Sequence, residues 1–361
     1  MNGRKRRRGL TLIELIVLLA IVAIIIAMLA PAILSARKAA RRAQCMNNMK
    51  QIGLAFHNFH DAFRKFPPSS GVTRDPEGKI TAVDGWSFYA ELLPFMEYGT
   101  IYDRLNIRKG HPDPGADDDS GEFEKEAARD ARNTQLAELI CPDNPNPKFA
   151  DPVNKTGALT NYKAMGATHI ESLQVASPKP TTPLYLPEEA TRHPDGALFP
   201  GGRIKLSAFG RDGSAHTILC TETMDPQYGV WTVGAEVSLV GLPSAQPGPD
   251  GKPEALKFER YEDTYWAPAG YNAKFGDEAA PEVRRLKTYL GYDFAKADPG
   301  TYVGAEARNK YGPSSAHPGV VNHLLADGSV HSISTDTDFA TYMFLITRAG
   351  GDPTGQFYDH R

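Results

Sequence analysis

One uncharged apolar run, Leu15–Leu34, constrains this chain more than any other feature of its sequence. Twenty residues at a rise of ~1.5 Å per residue form a helix of about 30 Å, which matches the hydrocarbon core of a bilayer. A secretory signal peptide has a shorter apolar core, followed by a cleavage site of small residues. Here the helix-forming segment Ser35–Arg42 follows instead. The run therefore predicts a retained transmembrane helix.

Basic side chains are concentrated around this run. Residues 1–50 carry ten Lys or Arg and one acidic residue, whereas the other 311 residues carry 30 basic and 42 acidic groups. Five of the basic groups lie at positions 4–8, and basic residues flanking a membrane helix stay on the cytoplasmic side. The chain is predicted to cross the inner membrane once, with its N-terminus in the cytoplasm and its acidic part in the periplasm or beyond.

Two residues are unusual for an ordinary anchor. Glu14 adjoins the apolar run, where an ionised carboxylate costs several kcal/mol. Snorkelling to the cytoplasmic interface is the alternative explanation for it. Pro31 lies within the helical pattern, where it removes one backbone hydrogen bond and kinks the helix. A chance proline near the outer interface is the alternative there.

The residues around Glu14 form a recognisable pattern. Arg7-Arg8-Gly9 followed by Leu10-Thr11-Leu12-Ile13-Glu14 resembles the type III signal of type IV prepilins and type II secretion pseudopilins. This resemblance implies that a prepilin peptidase cuts between Gly9 and Leu10 and methylates the new amine. It also implies that Glu14 pairs with the N-terminal amine of a neighbouring subunit, and that Pro31 is a helix-kinking proline used in fibre assembly. The family usually has Phe where this chain has Leu10.

A second, amphipathic half is predicted to extend the membrane helix over residues 35–66. Its apolar residues recur at steps of three or four, and they are Ile52, Phe56, Phe59, Phe63 and Phe66. A continuous helix from about Thr11 to Arg64 would be ~80 Å long. Pro67 and Pro68 are expected to end it.

Several motifs in the body resemble a large bacterial family of prepilin-like envelope proteins whose C-terminal domain has no assigned function. They are Ala40 to Asp61, Phe66-Pro67-Pro68, Gly85-Trp86, Leu92 to Glu97, Ile101-Tyr102-Asp103, Cys141-Pro142-Asp143 and Thr160-Asn161-Tyr162. The family signature, a His followed after nine residues by Asp-Gly, corresponds here to His317, Asp327 and Gly328.

The predicted fold is α+β and pilin-like: a long N-terminal helix packed on an antiparallel β-sheet, with long loop insertions. The proposed divisions are a leader (1–9), a transmembrane helix (10–34), an amphipathic helix (35–66) and an extracytoplasmic α+β domain (67–361). Predicted elements in the body are a helix from about Pro94 to Leu105, strands at 217–221 and 230–240, a hairpin of 320–325 and 330–333 with a type I′ turn at Asp327-Gly328, and a final helix at 338–347.

The three cysteines are interpreted from the predicted compartment. An extracytoplasmic body permits disulfides. A bridge between Cys45 and Cys141 would close a loop of about 97 residues and stabilise the fold by up to ~4 kcal/mol. Separate reduced thiols are the alternative. Cys220, in an apolar strand, is predicted to be a buried free thiol.

Other clusters of charged or ligating residues carry weaker signals. The basic group Arg37, Lys38, Arg41 and Arg42 favours lipid headgroups or acidic neighbours over nucleic acid. His57 and His60 lie one helical turn apart beside Asp61 but have no clear third metal ligand. Asp113 and Asp117–Asp119 have no closing Glu at the EF-hand offset, so a solvated loop is favoured over a Ca²⁺ site. No cofactor or metal is assigned.

The sequence predicts a pilin-like structural subunit, processed by prepilin peptidase, held in inner-membrane lipid and assembled with like or related subunits. The alternative is a membrane-anchored binding protein that recognises envelope polysaccharide or peptide through its C-terminal domain. An enzyme is not predicted, because the chain has no nucleophile motif, no H-E-x-x-H and no phosphate-binding loop after a strand. His317, His323, His331 and Asp327 are the residues that would otherwise suggest hydrolysis.

Overall fold

The computed structural model describes residues 12–74, 76, 80–82, 85–107, 122–167, 196–210, 212–224, 229–234, 237–240, 258–261, 265–268, 313–334, 337 and 339–348. The α-helices are α1 (Leu12–Phe63), α2 (Phe88–Leu92), α3 (Gly99–Leu105), α4 (Glu122–Asn133) and α5 (Phe339–Ile346). Short 3-10 helices lie at Leu93–Met96, Ala137–Leu139, Leu206–Phe209 and Ser214–His216. The strands are β1 (Thr73–Arg74), β2 (Ile80–Ala82), β3 (Phe149–Asp151), β4 (Thr156–Ala158), β5 (Tyr162–Ala167), β6 (Ile218–Glu222), β7 (Ser238–Val240), β8 (Phe258–Tyr261), β9 (Tyr265–Pro268), β10 (Val320–Leu325) and β11 (Val330–Ser334).

The predicted α+β class, with a long N-terminal helix on a mainly antiparallel sheet, is confirmed. Among the described residues, five strands form the main sheet in the order β11-β10-β6-β5-β7. All neighbouring pairs in it are antiparallel except β5 and β7, which run parallel. The predicted strand over 230–240 is shorter than expected. Only its last three residues form β7, while Val230 and Val233 make isolated bridges to Leu159 and Trp86.

Helix α1 runs without interruption from the apolar segment into the body. Ile52, Phe56 and Phe59 are buried, as their spacing predicts. Phe63 is 58% exposed, which contradicts its predicted burial. The chain reverses at Arg64, whose φ of 58° is left-handed, and α1 therefore ends at Phe63 rather than at residue 66. The reversal brings Phe66 back against α1, with its ring centroid 6.2 Å from that of Phe56, and Phe66 is fully buried.

The sheet lies between two helical layers. Side chains alternate along a strand, so the two faces of β10 carry different partners. Leu324 packs in the larger core with Met49, Ile52 and Phe56 of α1. The opposite face contributes to a second core, which contains Met165, Ile218, Val321, Leu325, Ile333, Tyr342, Leu345 and Ile346. Each large apolar side chain buried in these cores stabilises the fold by roughly 1.5–3 kcal/mol.

The β10–β11 hairpin and the final helix are present as predicted, but the turn differs. Leu325 and Ser329 pair, with the Leu325 N–H donating to the Ser329 carbonyl at 2.9 Å, which leaves a three-residue loop, 326–328. Within it only Gly328 has a positive φ (85°), so the predicted type I′ turn is wrong. The Asp327 carboxylate accepts hydrogen bonds from the Ser329 N–H (2.8 Å) and hydroxyl (2.7 Å), and this side-chain turn fixes the loop instead.

Other predicted elements differ in detail or lie outside the described residues. The helix expected from Pro94 to Leu105 is divided into a 3-10 turn and α3, because Glu97 has a left-handed φ of 66°. The segments 108–121 and 269–312 lie outside the described residues, and with them the Asp113 and Asp117–Asp119 cluster. Cys220 is a buried free thiol, as predicted. Burial raises the pKa of its thiol, which keeps it protonated and unreactive.

One titratable side chain lies deep in the second core. His323 on β10 is fully buried and makes a 2.9 Å hydrogen bond through Nε2 with the Tyr342 hydroxyl of α5. Its Nδ1 lies 2.9 Å from the Val321 carbonyl oxygen. Burial lowers the pKa of His323 to about 3, because the charged imidazolium is poorly solvated there. The residue is therefore neutral in the folded protein at physiological pH.

The free energy of unfolding should fall as the pH drops from about 6.5, the ordinary pKa of His, toward 3. In that window the unfolded chain binds a proton that folded His323 does not, and the loss approaches about 1.4 kcal/mol per pH unit. Urea unfolding of the detergent-solubilised chain, followed by tryptophan fluorescence at pH 7 and pH 5, measures it. A His323→Gln variant should have a flatter profile, with His331→Gln as the comparison. Equal slopes for wild type and His323→Gln would contradict the assignment.

Candidate functional site

The apolar half of α1 is exposed over its whole length. The window that qualifies as a membrane span has none of its residues buried within the chain. Glu14 lies in the first turn of α1, where the positive end of the helix dipole favours a carboxylate. The helix continues through Pro31, which lacks an N–H to donate to the backbone. Gly9 and Leu10 lie outside the described residues. One exposed apolar helix near the N-terminus fits a single-pass membrane anchor.

The helix becomes buried at Cys45, where it is attached to the body. Cys45 and Cys141 form a disulfide with a Cα–Cα distance of 5.0 Å. One turn later, the Asn48 amide donates to the Ile140 carbonyl at 2.9 Å. The Tyr162 hydroxyl donates to the Cys45 carbonyl at 3.3 Å. A covalent bond and two side-chain hydrogen bonds to the main chain therefore connect this turn of α1 to two separate parts of the body.

A cluster of ionisable side chains surrounds the disulfide. His317 is 4% exposed, and its Nε2 lies 3.6 Å from Cys141 Sγ and 3.7 Å from Glu222 Oε1. Its Nδ1 lies 3.4 Å from Asp143 Oδ2. The other Asp143 oxygen, Oδ1, is 3.2 Å from a guanidinium nitrogen of Arg41 on α1. One buried imidazole therefore lies between a disulfide and two carboxylates.

Neutral donors hold Glu222 in place at the end of β6. Its Oε2 accepts hydrogen bonds from the Ser315 hydroxyl (2.6 Å) and the Asn322 N–H (3.2 Å), and its Oε1 accepts one from the Asn322 side-chain amide (3.0 Å). Ser315 Oγ also accepts a hydrogen bond from the His317 N–H at 3.2 Å. The Asn161 amide oxygen accepts from the Cys141 N–H at 2.9 Å. This network of hydrogen bonds orients the side chains of the cluster.

The two parts of the family signature lie at opposite ends of β10. His317 precedes the strand and belongs to the cluster, whereas Asp327 and Gly328 form the turn after it. A Cβ on Gly328 would lie 3.2 Å from the His57 ring of α1. A Cβ on Gly53 of α1 would meet Leu324 Cδ1 at 2.7 Å. The turn therefore requires glycine for its positive φ and for the close approach of the hairpin to the helix.

His57 and His60, for which no metal was assigned, both pack on Phe66 but have different further neighbours. His57 faces Gly328, whereas His60 Nε2 lies 3.4 Å from the Leu206 N–H. Among the described residues, the group that gathers His, Cys and acidic ligand atoms consists of Cys45, Cys141, Glu222 and His317. His323 and His331 lie directly opposite each other on β10 and β11, on the hairpin as expected. Within the basic group, Arg41 pairs with an acidic neighbour, Asp143.

Sequence reasoning missed Glu222, Asn322 and Ser315 as members of this cluster. They lie in or beside ordinary strands, and nothing in their local pattern distinguishes them from solvated residues. Asp143 and Asn161 belong to the motifs Cys141-Pro142-Asp143 and Thr160-Asn161-Tyr162, which assign them no role. Co-variation of Asp143 and Asn161 with His317 among homologues is the kind of signal that would identify them as neighbours.

Two family models match the chain. The first, described as "Prokaryotic N-terminal methylation motif", matches residues 4–30. The second, described as "Protein of unknown function (DUF1559)", matches residues 34–340. No curated protein is significantly similar to the chain, and neither is any solved structure. Both resemblances inferred from the sequence are therefore confirmed.

Replacing both Cys45 and Cys141 by Ser should lower the free energy of unfolding by about 4 kcal/mol, since the unfolded chain regains the freedom of a long closed loop. The bridge spans a sequence separation of 96. Urea unfolding under non-reducing conditions measures the change. Cys220→Ala, which removes a buried thiol and no crosslink, is the matched control and should cost about 1 kcal/mol. Equal effects of the two changes would contradict a stabilising bridge.

The Gly328→Ala change should destabilise the body more than Gly319→Ala does. Both glycines have a left-handed φ (85° and 74°), so an added Cβ costs about 1–2 kcal/mol at either position. Only at Gly328 does the Cβ also press on a neighbour, His57, whereas nothing lies within 4 Å at Gly319. Thermal unfolding of the two variants measures the difference. If the two variants unfold at the same temperature, the hairpin does not depend on this close contact with α1.

Proposed function

Because the chain belongs to the family described as Protein of unknown function (DUF1559) and carries a prokaryotic N-terminal methylation motif, we propose that it is a pilin-like structural subunit. It is anchored in the inner membrane by α1 and assembles into a type IV pilus or a type II secretion-like fibre. The single observation that carries this proposal is the match of residues 4–30 to the methylation motif.

The geometry of α1 supports the proposal. A fibre subunit needs an apolar surface that lipid covers before assembly and neighbouring subunits cover afterwards. The membrane half of α1 has such a surface, since none of its qualifying window is buried within the chain. The other half of the same helix is fixed in the core of the body by Met49, Ile52 and Phe56. One rigid element therefore connects the assembly surface to the folded domain.

Processing supplies the charge that Glu14 requires. Cleavage after Gly9 by prepilin peptidase removes the basic leader and leaves the amine of Leu10 as a new terminus, which the peptidase methylates. Glu14 has its carboxylate in the first turn of α1. A carboxylate in lipid is costly alone, and pairing with an amine of a neighbouring subunit reduces that cost. This pairing would align each entering subunit with the one before it.

The orientation follows from charge and chemistry. Five basic groups at positions 4–8 keep the N-terminus in the cytoplasm. A disulfide between Cys45 and Cys141 suits an oxidising compartment, which supports a periplasmic or extracellular body. The proposed role requires no catalytic group. Among the histidines considered for hydrolysis, His323 is instead fully buried and bonded to Tyr342.

Mass spectrometry of the mature N-terminus from native membranes tests the processing step. The proposal expects a chain that starts at Leu10 and carries one methyl group on its amine. An intact Met1, or cleavage at another position, would contradict it. A correctly processed chain that never enters a fibre would favour the alternative role of an anchored envelope binding protein.

Changing Glu14 to Ala should abolish incorporation into fibres while leaving cleavage intact, because the partner of the N-terminal amine is lost. Glu14→Gln should behave in the same way, since it keeps the shape and removes the charge. Asp130→Ala, which removes an exposed acidic residue on α4, is the matched control. Sheared-fibre fractions compared with membrane fractions by immunoblot give the readout. Normal incorporation of both Glu14 variants would refute the pairing.

A further inference from the structure

The cluster around the Cys45–Cys141 disulfide has the composition of a metal site. One ligand atom from each of Cys45, Cys141, His317 and Glu222 lies within 4.8 Å of the other three. All four residues are buried. From this arrangement we propose that the four side chains form a Zn²⁺ site when the disulfide is reduced. The site is independent of the proposed role in a fibre.

The distances between the ligand atoms fit tetrahedral zinc. Zinc bonds of about 2.3 Å to sulfur and about 2.0–2.1 Å to nitrogen separate the sulfur and nitrogen of a tetrahedral site by about 3.6 Å. His317 Nε2 lies 3.6 Å from Cys141 Sγ. The same nitrogen lies 3.7 Å from Glu222 Oε1, which is too long for a hydrogen bond and close to the spacing of two zinc ligands. The two sulfurs, which are bonded to each other in the disulfide, must separate to admit the ion.

The outer contacts of His317 are those of a metal-binding histidine. Such a residue donates its second ring N–H to a carboxylate, which fixes the tautomer and the ring orientation. His317 Nδ1 lies 3.4 Å from Asp143 Oδ2, while Nε2 faces Cys141 and Glu222. The second Asp143 oxygen is held by Arg41 at 3.2 Å. With Nδ1 directed at Asp143, Nε2 is the nitrogen of His317 that is available to a metal ion.

Glu222 is likewise prepared to act as a ligand. A carboxylate that binds a metal is held by hydrogen bonds to its own oxygens. Ser315 and the Asn322 N–H donate to Oε2, and the Asn322 side chain donates to Oε1. Oε1 still has acceptor capacity on the side of His317, since a carboxylate oxygen accepts more than one bond. A divalent cation would also compensate the charge of this buried carboxylate, whose side chain is 2% exposed.

The donor set selects zinc among common divalent ions. Two thiolates, an imidazole and a carboxylate are ligands that Zn²⁺ prefers, whereas Ca²⁺ and Mg²⁺ take oxygen ligands.

In the reducing step, a dithiol transfers two electrons and two protons to the disulfide. The S–S bond breaks, both cysteines become thiols, and the dithiol becomes a disulfide. Zn²⁺ then displaces the two thiol protons to solvent, because a coordinating thiol is deprotonated.

The test uses the full chain in detergent micelles. Dithiothreitol reduces it until mass spectrometry after alkylation counts three free thiols, and gel filtration under argon removes the reductant. Co²⁺, a spectroscopic substitute for zinc, is then titrated in. The reduced chain should bind about one ion with a thiolate-to-cobalt charge-transfer band, which Zn²⁺ abolishes on displacement. The oxidised chain should show no such band.

Single substitutions separate the site from adventitious binding. His317→Ala and Glu222→Gln should each weaken cobalt binding at least tenfold, and Asp143→Asn should weaken it about 10–100-fold as an outer-shell change. His331→Ala removes a histidine on the neighbouring strand that supplies no ligand atom and should leave binding unchanged. The absence of a charge-transfer band in the reduced chain, or equal affinity of wild type and His317→Ala, would overturn the proposal.

A variant without the disulfide tests the site even if reduction disturbs the fold. Cys45→Ser leaves Cys141, His317 and Glu222 as three ligands with an open fourth position. It should bind Co²⁺ without any reductant, more weakly than the reduced wild type and with a weaker charge-transfer band, since one thiolate remains. Failure of this variant to bind while circular dichroism reports a folded body would count against the proposal as well.

Discussion

The packing of α1 on the sheet is the contact on which the rest of the structure depends. Between Cys45 and Phe59 the helix buries Met49, Ile52 and Phe56 against β10 and the short helices beside it. The same helix is wholly exposed in its apolar first half. One helix can lie in lipid along its first half and in the protein core along its second half only if the pattern of apolar residues changes between the two halves. The first buried residue, Cys45, is also the crosslinked one.

This packing gives a physical meaning to the family signature of His317, Asp327 and Gly328. The His and the Asp-Gly lie at opposite ends of one strand, β10, and each end has its own contact at or beside α1. At one end His317 lies beside the bridge that fixes α1. At the other, Gly328 allows the hairpin to approach His57 on the next turns of the helix. The nine intervening residues have to span β10 for both contacts to form.

The sequence predicted what depends on local pattern. The spacing of Ile52, Phe56 and Phe59 identified the buried face of α1, because a helix places residues three and four apart on one side. The same spacing wrongly predicted that Phe63 is buried. The chain reverses at Arg64, and Phe66 rather than Phe63 packs against Phe56. The same limit applies to the cluster. The resemblance identifies His317, but Glu222 and Asn322 become its neighbours only because β6 and β10 pair in the sheet.

The position of the disulfide also determines how the protein carries load. A force that pulls on the membrane end of α1 meets its covalent connection to the body at Cys45, and Cys141 passes part of it directly into the polypeptide beyond. Without that bridge the helix could peel from the sheet one turn at a time, each turn bearing the force alone. With the bridge in place, the contacts behind it share the force and must fail together. A single covalent bond at the edge of the contact therefore turns a progressive failure into a cooperative one.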